Sequence, residues 1–129
     1  AEKARVMKLP VSAPFHSSLM KPAEERLAPD LESTTLSDPR VPVYVNVDAA
    51  PVTTARAARE ALVRQVSRAV RWDESVLAMV RDGVTLFVEI GPGKVLCGMI
   101  ARITKDAKAI SVQGPDDFDA ARAAIAAAR

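Results

Sequence analysis

His16 is the only histidine in the 129 residues, and imidazole is the side chain best suited to exchanging protons near neutral pH. It stands in Pro14-Phe15-His16-Ser17-Ser18, where proline pushes the chain toward extended geometry. Two readings fit a histidine on such a loop. One is a solvated or capping residue; the other is a general base whose ring is held by the neighbouring prolines and Phe15. A base needs a nucleophile or a water to deprotonate. Ser17 and Ser18 adjoin it, but consecutive residues at a helix start do not face one another. Neither lies in a G-x-S-x-G elbow, and the sequence contains none.

Gly91-Pro92-Gly93-Lys94 invites a phosphate-loop reading and fails it. That loop requires glycine five residues before Gly93 and Ser or Thr after Lys94, where this chain has Val88 and Val95. The dinucleotide fingerprint fails as well, because its third glycine would fall on Leu96. A tight strand-to-helix turn remains, placed outside the carboxyl end of a strand, where α/β proteins build sites. Cys97, in the following apolar run, reads as a small buried filler. No His/Asp/Glu cluster has ligand spacing, so no metal site is expected.

The elements that would position these residues follow from periodicity. Leu19, Ala23, Leu27 and Leu31 recur every four residues on one helical face, with Ser17 or Ser18 as cap and a kink or early stop expected at Pro29. Val41, Val43, Val45 and Val47 alternate with polar or proline positions as in a strand. Thr53 or Thr54 caps a helix from Ala55 to about Val66. Asp73 reads as the next cap, between the staple residues Trp72 and Leu77, with Gly83 as the stop. Val84 to Ile90 reads as a strand covered on both faces, Lys94 to Ile103 as a helix and Lys108 to Val112 as a strand. After Gly114-Pro115, with Asp116 or Asp117 as cap, an Ala-rich helix runs from Phe118 to Arg129. Strands alternating with helices imply an α/β layer with a mainly parallel sheet of three or four strands.

Composition narrows the function classes. Hydrophobic residues at 49% and charged residues at 26% describe a globular chain of one domain. The net charge of +2 is dispersed and aromatics are only 4%, so nothing asks for nucleic acid. One cysteine excludes an internal disulfide framework and suits a reducing compartment, and no apolar run approaches the ~18 residues of a membrane span. The expectation is a cytoplasmic protein without membrane or nucleic-acid partners. The opening Ala1-Glu2-Lys3-Ala4-Arg5 begins like the middle of a longer chain.

Five blocks in order carry a resemblance: Lys8-Leu9-Pro10-Val11-Ser12-Ala13-Pro14-Phe15-His16-Ser17-Ser18-Leu19-Met20, Val41-Pro42-Val43-Tyr44-Val45-Asn46-Val47-Asp48, Leu62-Val63-Arg64-Gln65, Val70-Arg71-Trp72, and Val88-Glu89-Ile90-Gly91-Pro92-Gly93-Lys94-Val95-Leu96. From about residue 3 to residue 112, the chain resembles the C-terminal part of the malonyl-CoA:acyl-carrier-protein transacylases. This family is similar to the acyltransferase domains of polyketide synthases.

The resemblance implies a hydrolase-like, mainly parallel sheet with flanking helices over residues 13–129. Residues 1–12 would end a small ferredoxin-like subdomain. It implies transfer of malonyl from coenzyme A, through a seryl ester, to the phosphopantetheine thiol of acyl carrier protein, with no bound cofactor. His16 matches the family's general base and acid, and Gln65 the residue whose main-chain carbonyl orients it. Phe15 matches the bulky position of malonyl-selective members, and Asn46 either lines the same pocket or is an ordinary strand-end polar group.

The family's serine elbow, oxyanion-hole segment and carboxylate-binding arginine have no counterpart in the sequence. The expectation is therefore the C-terminal portion of such an enzyme, inactive by itself and dependent on the missing N-terminal part. A non-catalytic relic that binds acyl carrier protein, or a piece of a polyketide synthase acyltransferase, is the alternative.

Overall fold

The computed structural model describes residues 11–128. Most of the expected subdomain end at 1–12 lies outside those residues. A 3-10 turn over Ser18–Met20 leads into α1 (Lys21–Ser33), followed by β1 (Val43–Val45), β2 (Ala50–Val52), α2 (Ala55–Gln65), α3 (Trp72–Arg81), β3 (Leu86–Ile90), α4 (Val95–Ile103) and β4 (Lys108–Val112). A second 3-10 turn, Pro115–Asp117, precedes α5 (Phe118–Ala127). The class is α/β.

Local chemistry explains most boundaries. Pro22 sits in the first turn of α1, where no N–H is needed. The helix then runs through Pro29 to Ser33, so the expected early stop does not occur. Arg59 on α2 serves free carbonyls at the far end of the helix: its Nε donates to Leu31 O at 2.7 Å and its guanidinium to Thr34 O at 2.8 Å. Thr54 caps α2, its Oγ1 accepting from Ala57 N at 3.2 Å. Asp73 does not cap α3, because the helix already begins at Trp72, after Arg71. Its carboxylate lies instead in the first turn, where negative charge suits the helix dipole. Gly83 ends α3 in the left-handed region at φ +95°, with Gly83 N donating to Val80 O and Val84 N to Met79 O, both 3.0 Å.

The strands form two separate pairs among the described residues. β3 and β4 run parallel, from Leu86 beside Lys108 to Ile90 beside Val112, joined by α4. The valine alternation goes elsewhere. β1 folds back on β2 as an antiparallel hairpin, with Val43, Tyr44 and Val45 opposite Val52, Pro51 and Ala50. Prolines 42 and 51 lack ladder donors, which confines this ribbon to an edge and keeps it out of the parallel sheet expected for it.

The core lies among α2, α3, α4, β4 and α5, where Ala61, Val76, Ala78, Ile100, Val112 and Ala121 are buried. Leu86 to Glu89 are only half-buried and Ile90 is 82% exposed, so β3 is not covered on both faces by the described residues. Val76 is 0% exposed. Val76→Ala should destabilise the intact protein by about 2–3 kcal/mol through lost burial and a cavity, read as a lower urea midpoint at unchanged slope.

Candidate active site

His16 occupies the left-handed region at φ +57°, a conformation histidine tolerates better than most residues. Two contacts hold it there. Ser17 Oγ turns back and donates to Pro14 O at 2.7 Å, instead of capping the turn ahead of it. The ring crosses to a second element: His16 Nδ1 donates to the main-chain oxygen of Gln65 at 2.9 Å, over a sequence separation of 49.

That oxygen is available because Gln65 is the last residue of α2, where carbonyls have no helical partner. A carbonyl can only accept, so Nδ1 carries the proton and Nε2 is left with a lone pair on the exposed side of the ring. The end of α2 is itself fixed. Arg64 donates to Asp48 through two bonds, 2.7 Å and 2.6 Å, and Arg71 donates to Asp48 O at 3.1 Å. The guanidinium of Arg64 holds the Asp48 carboxyl below its ordinary range. With both side chains more than a third exposed, the bridge adds little stability. Its paired geometry sets where the hairpin turn meets α2.

Phe15 precedes His16 and is 55% exposed. Asn46 lies just beyond β1 and faces the start of α3: its main-chain oxygen accepts from Arg71 N at 3.2 Å, and its side-chain amide lies 3.4 Å from Ser75 Oγ, whose proton goes to Arg71 O at 2.8 Å. The structure brings His16 and Gln65 together, leaves Phe15 as the exposed neighbour of His16 in the chain, and directs the Asn46 side chain toward Ser75. Glu24 was missed by sequence reasoning. It is buried on α1 and accepts from Ser67, two residues beyond Gln65. Nothing local marks a glutamate in a first helical turn as a long-range acceptor.

Around Gly91-Pro92-Gly93, the polar groups are already committed. Gly93 N donates to Gln113 Oε1 at 2.9 Å, and Ser111 Oγ donates to Gly93 O at 2.7 Å. Glu89 on β3 occupies the start of α4, accepting from Leu96 N at 3.1 Å and Cys97 N at 2.8 Å. A helix N-terminus holding its own carboxylate is not a phosphate cradle. Burial, reinforced by Glu89, pushes the Cys97 thiol up and away from thiolate reactivity. No three His, Cys, Asp or Glu side chains group as metal ligands among the described residues.

A parallel βαβ layer and an imidazole oriented by a main-chain carbonyl define an α/β protein whose lone histidine is held in one tautomer. Comparison with known proteins is more specific, although no protein-family model matches the chain. The malonyl CoA-acyl carrier protein transacylase of Haemophilus influenzae is 47% identical over 116 residues, covering 90% of this chain and 37% of that protein. The solved acyl-carrier-protein S-malonyltransferase of Burkholderia pseudomallei superposes with a TM-score of 0.86 at 45% identity, covering 91% of this chain and 38% of that one. A malonyl-transacylase solved in complex with a type II polyketide synthase acyl-carrier protein gives 0.83 at 42% identity, over 88% of this chain and 37% of that one. In sequence and fold the chain corresponds to the C-terminal part of the malonyl CoA-acyl carrier protein transacylases, and it spans a little over a third of their length.

The Glu89 cap carries a signed pH dependence. The amide of Cys97, with further help from Cys97 Sγ and the amides of Leu96 and Val95, holds the Glu89 carboxyl below the ordinary glutamate range. Its stabilising effect is therefore complete above the ordinary glutamate pKa and fades as pH falls through the lower folded-state value. Glu89→Ala should lower the urea midpoint at neutral pH, and the gap to wild type should narrow through that acid window.

Proposed function

We propose that this chain supplies the general base and acid of a malonyl transfer from coenzyme A to acyl carrier protein, acting on a serine held by a part of the transacylase it does not span. The observation that carries the reading is the His16 Nδ1–Gln65 O bond of 2.9 Å. It leaves Nε2 able to accept a proton, and the same carbonyl can accept from the ring in either charge state.

The proton balance follows. Nε2 takes the seryl proton as the oxygen attacks the malonyl thioester carbonyl, and the resulting imidazolium returns it to the departing coenzyme A thiolate. In the second half, Nε2 takes the proton of the phosphopantetheine thiol as its sulfur attacks the seryl ester. The proton then goes to the leaving seryl oxygen, restoring serine and neutral histidine. A neutral carbonyl serves the orienting purpose of a triad aspartate without adding a formal charge.

Phe15 fills space beside the reacting acyl group and disfavours a methyl branch, a discrimination of about 1–3 kcal/mol. Malonyl is thus favoured over methylmalonyl. For Asn46, the main-chain bond from Arg71 and the side chain's place beside Ser75 support a structural part over a pocket-lining one.

His16→Ala in the intact protein should lower malonyl transfer to holo acyl carrier protein by about 10²- to 10⁴-fold with an unchanged circular dichroism spectrum. Near-normal turnover would overturn the assignment. Gln65→Ala keeps the carbonyl and should cost far less. The 129-residue chain alone, incubated with malonyl-CoA, should show no stable adduct by mass spectrometry.

A further inference from the structure

Among the described residues Glu24 is the only buried charged side chain, at 7% exposure. A carboxylate is removed from water at a cost that only hydrogen bonds and opposite charge offset. Its two oxygens are both used. One accepts from Lys21 Nζ, one turn back on α1, and the other accepts from the hydroxyl of Ser67, which is 8% exposed. Lys21 first, then Ser67, hold the carboxyl below its ordinary range, so it stays ionised at neutral pH.

Helix α1 does not need this arrangement. A glutamate in its first turn would favour the helix dipole equally well from solvent. What the buried geometry adds is a tie between two distant stretches. Residues 16 and 24 lie on one stretch and residues 65 and 67 on the other, so the Glu24–Ser67 bond runs alongside the His16–Gln65 bond. The turn from Val66 to Val70 belongs to no helix or strand. Its remaining side-chain bonds are internal and long: Gln65 Nε2 donates to Arg68 O at 3.3 Å and to Ala69 O at 3.4 Å. Among the described residues, Glu24 is the one side chain outside α2 that hydrogen bonds to this turn.

We infer that Glu24 is a positioning residue for His16, acting through Ser67 to hold the turn after Gln65 and thereby the carbonyl that orients the imidazole. The inference rests on reading His16 as the base. Misplacing a reacting group slows chemistry far more than it weakens substrate binding.

The test uses the intact protein with malonyl-CoA and holo acyl carrier protein. Glu24→Ala and Ser67→Ala should each lower kcat about three- to tenfold with KM for malonyl-CoA within about twofold. The double variant should be no worse than the poorer single one, since both remove one bond. Glu24→Gln, whose amide oxygen can still accept from Ser67, should recover kcat to within about twofold of wild type.

A ¹⁵N–¹H spectrum of the imidazole, with His16 assigned by its loss in His16→Ala, should show the Nδ1–H tautomer in wild type and Glu24→Gln. In Glu24→Ala and Ser67→Ala it should show a tautomer mixture. Wild-type kcat with an unchanged spectrum in Ser67→Ala would overturn the inference, as would a loss confined to KM or additive losses in the double variant. If Glu24→Ala does not fold, the smaller Ser67→Ala change decides. Should His16→Ala prove active, the functional reading falls, and the spectrum still decides whether Glu24 governs the ring.

Discussion

The site depends on where one main-chain oxygen points. An imidazole can pass protons in a defined direction only when its two nitrogens are distinguished, and Gln65 O distinguishes them by accepting from Nδ1. Because the acceptor is backbone, its position is set by the end of a helix, not by a rotamer. Everything that fixes the end of α2 therefore bears on the chemistry of His16.

Several contacts converge there. The Thr54 cap sets where α2 begins, and Arg59 joins it to the last turn of α1. Arg64 grips Asp48 in the hairpin turn after β1, and Arg71 reaches the same residue's main chain from the start of α3. Each of these contacts is modest alone, and most are partly exposed. Together they leave the α2 terminus few ways to rotate, and His16 takes up the left-handed backbone that brings its ring to it.

The sequence was legible wherever the determining chemistry is local. Thr54 before an alanine-rich run, Gly83 after Arg81, and the apolar stretch before Gly91 mark boundaries within a residue or two of where they lie. It was misleading where a partner far along the chain decides. The valines at 41 to 47 look alike whether they join a parallel sheet or fold back, and Pro51 on the returning strand tips them toward a hairpin. Pro29 reads as a stop, yet the helix runs on to Ser33, and Arg59 from α2 meets free carbonyls at its end. Asp73 looked like a cap because its type is right, while the helix starts one residue earlier. Of the candidate site, His16 stood out by its type and its loop. The acceptor for Nδ1 carries no signature of its own, since any residue ending a helix offers a free carbonyl; only the resemblance singled out Gln65. The buried acceptance of Ser67 by Glu24 leaves no periodic trace at all.

The carboxylate of Glu89 at the head of α4 decides what that helix end can still hold. Helix ends beside a parallel sheet commonly greet negatively charged visitors, and this one is already neutralised by a tenant from its own strand. A polyanion would find no vacant donors there, because the amides of Leu96 and Cys97 are already engaged. The head of α4 is thus sealed from within the fold, and its dipole serves to join strand to helix instead of receiving a guest.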